Sequence, residues 1–306
     1  MPNTVPEIQV ACAVIWHDGR ILLSKRFANQ HQGDRWEFPG GKCEPGEPPE
    51  LALARELNEE LGLRIQLPVP ICQIPWNYGD KRVRLWVYEV HAFSGTPQGL
   101  EGQPIQWWEP AALSELIFPD ANRAIVRSIG LPRIVRIFDA EIHNDPMAWI
   151  EASQQSSILY FRGMPPSVLL EKALEQALAQ GHLAVLAPDQ WPCHRPGLGV
   201  HLRRSDEVQA HLARLSSLSD PWPITGGIRS YDDWLARQAW PADLWLISPV
   251  KQTRSHPSAE PLGWSGFSTI AANVGTPAVA LGGMTGDDLD AALAAFGYGV
   301  AGIRGL

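Results

Sequence analysis

One short stretch, residues 40–63, constrains the fold and chemistry of this chain more than any other: GGKCEPGEPPELALARELNEELGL. A Gly-Gly pair and a Glu-Pro-Gly-Glu turn come first, followed by Pro48 and Pro49 and then an uninterrupted run to Gly62. Proline is tolerated at the start of a helix, and glycine is favoured just after its end. The stretch is therefore predicted to form a loop, a helix and a second loop.

The predicted helix has an acidic face and an apolar face. Residues three and four positions apart are neighbours on a helix, so Glu56, Glu59 and Glu60 share one side. The other side consists of three leucines: Leu53, Leu57 and Leu61. Arg55 lies inside the acidic cluster, where a guanidinium can orient a carboxylate. A solvated acidic face is one interpretation, and a site for Mg²⁺, which prefers carboxylate oxygens, is the other.

The stretch resembles the Nudix box. Every fixed position of that box is filled: Gly41, Glu47, Arg55, Glu56, Leu57, Glu59, Glu60, Gly62 and Leu63. The resemblance implies a Nudix hydrolase, with an α/β/α sandwich and a mixed sheet, in which metal-bound water attacks a diphosphate bond. It implies Mg²⁺, with Mn²⁺ as the alternative, held by Glu56, Glu59, Glu60, Glu101 and the Gly40 carbonyl. Glu47 and Arg55 would position the helix.

Within this superfamily, residues 6–130 are most similar to the MutT-type 8-oxo-dGTP diphosphatases. The segment KRFANQHQGDRWEFPGGK implies Arg26, Glu37 and Phe38 as nucleotide-binding residues. LEGQPIQWW implies Glu101 as a further metal-binding or base-like carboxylate, and FPDAN implies Asn122 as the reader of the purine edge. Each residue also has a structural interpretation: Arg26 as a solvated charge, Phe38 as core, Glu101 as plain surface and Asn122 as a helix cap.

The flanking sequence predicts strands. In IQVACAVIWHDGRILLSKR, an Asp-Gly pair between apolar runs is typical of a β-hairpin. From Lys81 to Val87 charged and apolar residues alternate, as they do in a half-buried strand. With 306 residues, 45% of them hydrophobic, the chain is long enough for two cores.

After residue 130 apolar segments alternate with helical stretches, which indicates βα units and a parallel sheet. The domain boundary is therefore placed near 130–132, giving domains 1–130 and 131–306. Eight strand centres are predicted: Ile134, Ile158, Val185, Val200, Ile224, Leu246, Val279 and Val300. Eight such units imply a compact TIM, or (β/α)8, barrel.

The late part of this half resembles thiamine phosphate synthase in ADLWLISPVKQTRSHPSAEPLGW, TPAVALGGM and YGVAGI. The resemblance implies a phosphate site at Thr253, Ser255, Gly282 and Gly283, with a thiamine-related phosphate as ligand. It departs from the family where a lysine is expected, because His256 stands there. The expectation is a barrel that keeps a ligand site but has lost or altered its synthase activity. Glycines needed only for tight turns are the alternative.

Overall charge and composition limit the partners. A formal charge of −8 disfavours binding to a nucleic-acid polymer and favours a small phosphorylated ligand. No apolar run approaches the ~18–20 residues of a membrane span, and the first residues lack the pattern of a signal peptide. The four cysteines form no CxxC pair, which disfavours a thiolate zinc site. A cytoplasmic enzyme is therefore expected.

Three functions remain at this stage. The first is Mg²⁺-dependent hydrolysis of 8-oxo-dGTP or a related purine nucleoside triphosphate to the monophosphate and diphosphate, which would cleanse the nucleotide pool and avoid mutation. The second takes its substrate from the barrel: thiamine diphosphate, a damaged analogue or another diphosphate of thiamine synthesis. The third makes the barrel a ligand-sensing module that regulates the hydrolase.

Overall fold

The computed structural model describes residues 6–190, 195–203, 222–253 and 258–306. The chain divides into two compact units, Met1–Ile129 and Gly130–Leu306. No helix among the described residues is long and apolar enough to span a bilayer.

The first unit is built on a mixed sheet. The strands of this unit are β1 (Glu7–His17), β2 (Arg20–Lys25), β3 (Trp36–Glu37), β4 (Gly40–Lys42), β5 (Arg64–Gln66), β6 (Val69–Asn77), β7 (Arg82–Val90), β8 (Ala92–Ser94) and β9 (Ile105–Trp108). Strands β5 and β8 form a separate two-stranded sheet. The main sheet has the order β3-β2-β1-β7-β6, with β4 paired to β1 and β9 paired to β2. Strands β1 and β7 are parallel, whereas the other pairs in this sheet are antiparallel. The predicted mixed sheet is confirmed.

Both predicted strand regions of this unit are confirmed. Strands β1 and β2 form an antiparallel hairpin that closes with His17 opposite Arg20. Asp18 and Gly19, the two turn residues, have φ of 48° and 73°, the left-handed values that a two-residue hairpin requires. Strand β7 buries mainly alternate residues, as its charge pattern predicts. Strand β6 is an edge of the sheet and contains Pro70 and Pro75.

The helices of the first unit are α1 (Pro49–Leu61) and α2 (Arg123–Ser128), with 3₁₀ turns at Pro110–Glu115 and Asp120–Asn122. Helix α1 packs through four buried residues: Ala52, Leu53, Leu57 and Leu61. It ends at Gly62, whose φ of 69° lets its N–H reach the Asn58 carbonyl at 3.0 Å. The loop, helix and loop predicted from the sequence are thus confirmed. Of the acidic residues, Glu59 is exposed, whereas Glu56 and Glu60 are half-buried.

The second unit is a closed barrel of eight parallel strands, as predicted. The strands are β10 (Ile134–Asp139), β11 (Ile158–Arg162), β12 (Leu183–Leu186), β13 (Leu198–Leu202), β14 (Ile224–Ile228), β15 (Leu244–Ile247), β16 (Ala278–Leu281) and β17 (Gly299–Gly302). Strand β17 pairs back onto β10 and closes the barrel. Its described helices are α3 (Pro146–Glu151), α4 (Val168–Ala179), α5 (Tyr231–Arg237), α6 (Gly263–Ala271) and α7 (Leu289–Ala294), with 3₁₀ turns at Pro188–Gln190 and Gly286–Asp288.

Candidate active site in the first unit

Arg55 is the centre of an ion-pair network on the exposed side of α1. Its Nε and Nη2 donate to the two carboxylate oxygens of Glu47, at 3.0 and 2.9 Å. Its Nη1 donates to Glu56 at 2.9 Å and to Glu59 at 3.3 Å, and its Nη2 also donates to the Lys42 carbonyl at 3.0 Å. The hydrogen bonds from Arg55 lower the pKa of Glu47. One guanidinium therefore fixes three carboxylates and the backbone of β4.

The two glycines of β4 are required by close packing. The space that a Cβ on Gly41 would need is taken by Glu56, whose carboxyl carbon would be only 2.2 Å away. Gly40 has a φ of 142°, and a Cβ there would be 2.1 Å from the Ala11 carbonyl oxygen. Gly41 thus allows β4 to pass close to Glu56 of α1, and Gly40 allows it to pass close to β1.

Glu60 has the most perturbed carboxyl group of this site. Burial and the charges of four neighbouring carboxylates together raise its pKa from the ordinary 4.5 to about 8, with burial as the larger cause. The four carboxylates are Glu101, Glu56, Glu37 and Glu59. A bound cation would relieve this repulsion, and oxygen donors of this kind suit Mg²⁺. In the described part of the chain, no three His, Cys, Asp or Glu side chains are arranged to hold a metal ion as they stand. The donor chemistry fits a divalent cation, and the carboxylates would have to converge on it.

The loop that carries Glu101, residues 98–103, is attached to the end of α1. The N–H of Leu100 donates to the Glu60 carbonyl at 2.9 Å, and the side-chain amide of Gln103 donates to the same carbonyl at 3.1 Å. The other end of that amide accepts from the N–H of Glu101 at 3.0 Å. Sequence reasoning did not single out Gln103, because its contact with Glu60 links residues 43 positions apart.

Arg26 and Glu37 are partners in an ion pair between their side chains. Arg26 Nε also donates to the His31 carbonyl at 3.0 Å, which ties it to the loop that follows β2. Burial raises the pKa of Glu37, and the charge of Arg26 opposes that shift. Because Glu37 also contributes to the field at Glu60, this pair lies beside the acidic cluster.

Phe38 and Asn122 are both buried, with different surroundings. Phe38 is 3% exposed, and its ring stacks on Phe118 with centroids 5.6 Å apart, so its side chain is part of the core. Asn122 is 8% exposed in the 3₁₀ turn before α2, and its side chain makes no capping hydrogen bond to that helix. Helix capping therefore does not account for Asn122. The turn itself is held by Gln32, whose amide pairs with Asp120 at 3.3 and 3.2 Å.

Of the four phosphate-site residues predicted in the barrel, the structure describes Thr253, Gly282 and Gly283. Gly282 and Gly283 have φ of 101° and 67° and follow β16. A Cβ on Gly282 would lie 3.0 Å from Thr253 Cγ2, and one on Gly283 would lie 2.6 Å from the Gln252 carbonyl oxygen. The structure therefore brings this glycine pair against the segment that contains Thr253. Two residues lie outside the described ranges: Ser255 and His256.

Comparison with protein families agrees with this division of the chain. A NUDIX domain model matches residues 10–128, and a thiamine monophosphate synthase model matches residues 193–306. Among relatives, the chain is 35% identical over 124 residues to an 8-oxo-dGTP diphosphatase of Escherichia coli, covering 40% of this chain and 96% of that one. It is 38% identical over 124 residues to the 8-oxo-dGTP diphosphatase of Haemophilus influenzae, covering 40% and 90%.

A third relative has a different printed activity. The chain is 39% identical over 132 residues to a CTP pyrophosphohydrolase of Escherichia coli, covering 43% of this chain and 98% of that one. All three relatives align over less than half of this chain and over nearly their whole length. The chain therefore belongs to the Nudix hydrolases through its first unit and carries a thiamine phosphate synthase-like domain in its second.

Proposed function

We propose that this protein hydrolyses 8-oxo-dGTP, or a related purine nucleoside triphosphate, to the monophosphate and diphosphate, and so cleanses the cytoplasmic nucleotide pool. The observation that carries the hydrolytic part is the carboxylate cluster around Glu60, where burial, together with the neighbouring carboxylates, raises the pKa of Glu60 to about 8. Carboxylates gathered in this way on the box helix are suited to a cation and the phosphates that it accompanies.

The metal would be held by carboxylates of α1 and of the loop after β8. In this assignment the ligands are Glu56, Glu59, Glu60, Glu101 and the Gly40 carbonyl, with Mg²⁺ as the ion and Mn²⁺ as its substitute. A divalent cation there would supply charge neutralisation for the phosphates and a water of lowered pKa. Arg55 and Glu47 would act as positioning residues: their paired hydrogen bonds tie the loop before α1 to the helix, and Arg55 also holds the side chains of Glu56 and Glu59.

Recognition of the base is assigned to Asn122. Its buried amide offers a donor and an acceptor, the combination that distinguishes the edge of an oxidised guanine. Arg26 and Glu37 are assigned to the nucleotide between the base and the metal, because Glu37 influences Glu60 and is paired with Arg26. The Phe38 side chain is buried, so its contribution would be to the shape of the pocket wall.

Two other substrates have support of their own. CTP is favoured by the 39% identity to a CTP pyrophosphohydrolase, the highest of the three relatives described above. Thiamine diphosphate, or a damaged analogue, is favoured by the thiamine monophosphate synthase match over residues 193–306. In either case, the barrel could act as a module that binds a phosphorylated ligand through Thr253, Gly282 and Gly283.

The deciding experiment is kcat/KM of the full chain with Mg²⁺ for 8-oxo-dGTP, dGTP, CTP and thiamine diphosphate, with products separated by chromatography. The proposal expects 8-oxo-dGTP to have the highest value and to yield monophosphate and diphosphate. A higher value for CTP would contradict the assigned role of Asn122, and a higher value for thiamine diphosphate would mean that the fused barrel indicates the substrate. Absence of metal-dependent turnover with all four would defeat the proposal.

A further inference from the structure

Gln103 joins two parts of the acidic site that are distant in sequence. Its side chain is 9% exposed, and both ends of its amide are used. Nε2 donates to the Glu60 carbonyl at 3.1 Å, and Oε1 accepts from the Glu101 N–H at 3.0 Å. The amide therefore connects the end of α1 directly to the backbone of the residue proposed as a ligand in the loop.

The contact from Gln103 supplies a hydrogen-bond donor to a carbonyl at the end of α1. The last carbonyls of α1 have no partner within the helix, and an unpaired buried carbonyl costs free energy. Loop residues meet that need, because Leu100 N–H and the Gln103 amide both donate to the Glu60 carbonyl. The loop is also closely packed: a Cβ on Gly99 would lie 2.0 Å from the Gln103 carbonyl oxygen. Few alternative positions are open to this loop while the contacts remain.

The position of Glu101 therefore depends on Gln103. Glu101 is exposed, and its N–H hydrogen bond to Gln103 anchors its backbone to the helix end. Glu60, on the last turn of α1, experiences the charge of Glu101 more strongly than that of any other carboxylate. Without the amide, Glu101 would lose its own hydrogen bond to Gln103, and the loop would be held to the end of α1 through the Leu100 and Gln98 N–H groups.

We infer that Gln103 is a positioning residue of the metal site, which holds the backbone of Glu101 beside Glu60 so that both carboxylates reach one divalent cation. The inference rests on the proposed function, in which both glutamates are metal ligands. Residues that orient metal ligands typically affect metal affinity by about 10- to 100-fold.

The test is a double-mutant cycle with Mn²⁺ as the probe. Gln103→Met keeps the length of the side chain and removes both hydrogen bonds, and Glu101→Gln removes the carboxylate. The dissociation constant of Mn²⁺ is measured by electron paramagnetic resonance for the wild type, both single variants and the double variant. Gln98→Met is the matched control, because Gln98 is an exposed glutamine of the same loop.

The expected result is coupling. Gln103→Met should weaken Mn²⁺ binding about tenfold in the wild-type background and less than twofold in the Glu101→Gln background. The KM for the nucleotide should stay within about twofold, because binding of the base does not involve this loop, and Gln98→Met should match the wild type. If Gln103→Met is poorly folded, Gln103→Asn replaces it in the test. Its shorter side chain is unable to reach both partners, so it should also weaken Mn²⁺ binding.

Three results would overturn the inference in distinguishable ways. Wild-type Mn²⁺ affinity in Gln103→Met would mean that the amide does not position a ligand. An equal loss in both backgrounds would mean that Gln103 acts through general stability and not through Glu101. Unchanged Mn²⁺ affinity in Glu101→Gln would remove Glu101 from the metal site, which contradicts that part of the proposed function and the inference together.

Discussion

The carboxylate of Glu56 occupies the space above Gly41 that a side chain at residue 41 would fill, with 2.2 Å between the carboxyl carbon and the added Cβ. Gly41→Ala should therefore displace Glu56 and reduce kcat about tenfold or more, since misplacement by 1 Å can cost as much as 100-fold. Steady-state kinetics measures the effect. Gly227→Ala, in a strand of the second unit, is the control, because Gly227, like Gly41, has no left-handed φ and a Cβ there contacts nothing. Equal losses in the two variants would contradict the steric explanation.

Glu60→Gln should change stability and activity in opposite directions. The Glu60 carboxyl has a pKa of about 8 in the folded chain and about 4.5 when unfolded. Between these values the unfolded chain releases a proton that the folded chain keeps, so metal-free stability falls as pH rises from 4.5 to 8. With EDTA present, the variant should therefore melt at a higher temperature than the wild type at pH 9. At pH 4.5 the variant should have no such advantage.

Turnover of this same variant should drop roughly 100-fold or more, because loss of a proposed metal ligand would remove several kcal/mol of transition-state stabilisation. Calorimetric melting at the two pH values and kcat with Mg²⁺ are the measurements. A stability difference that is the same at both pH values would show that the charge of Glu60 is not the cause, and near-normal turnover would remove Glu60 from the site.

Arg55→Lys should impair the site although the charge is kept. An ammonium group is unable to reproduce the paired contact with Glu47 together with the contacts to Glu56 and the Lys42 carbonyl. We expect kcat to fall about tenfold, in the range found for residues that orient metal ligands. Arg64→Lys, on exposed strand β5, is the control. Matching kinetics for the two variants would show that charge alone suffices at position 55.

Asn122→Ala should lower base selectivity more than turnover. Removing a buried donor and acceptor leaves the catalytic carboxylates in place, so the ratio of kcat/KM for 8-oxo-dGTP to that for dGTP should fall by about tenfold or more. Asn144→Ala, an exposed asparagine of the second unit, is the control. The ratio is measured with both nucleotides in competition. An unchanged ratio would assign base recognition elsewhere.

Thiamine monophosphate should bind to the full chain through the segment that packs on Gly282 and Gly283. Gly283→Ala would place a Cβ 2.6 Å from the Gln252 carbonyl oxygen, so it should move that segment and weaken binding about tenfold. Gly286→Ala is the control, because a Cβ there has open space. Isothermal calorimetry measures the dissociation constant. If the wild type gives no heat of binding with thiamine monophosphate, the alternative is favoured in which Gly282 and Gly283 serve packing alone.

Local patterns predicted the barrel and several elements of the first unit, whereas the sandwich fold of that unit was implied by the resemblance to the Nudix box. The Asp-Gly turn, the two-faced helix α1 and the eight barrel strands each follow from short-range periodicity and turn residues, and all are observed. The spacing of the Nudix box identified the acidic residues of α1, because these residues are close together in the sequence. Their roles stay predictions, since metal ligation and base recognition depend on groups that a sequence does not place.

Long-range contacts account for what the sequence did not predict. Gln103 meets Glu60 across more than forty residues, and no periodic signal marks such a pair. The burial of Phe38 against Phe118 likewise depends on two separate segments, so neither the strand pattern nor the neighbouring charge of Glu37 reveals it. The sequence also allows Asn122 as a helix cap, and the geometry at the start of α2 excludes that role.

The edge strand β6 has a consequence for how copies of this chain behave at high concentration. An open sheet edge presents unpaired N–H and C=O groups that a strand from another molecule can extend into an aggregate. Pro70 and Pro75 interrupt β6 at two points where no N–H donor exists, so an incoming strand would find an incomplete ladder. The barrel has no such edge, because β17 pairs with β10. Replacing these prolines is therefore expected to increase aggregation and lower the yield of the protein, while catalysis is unaffected.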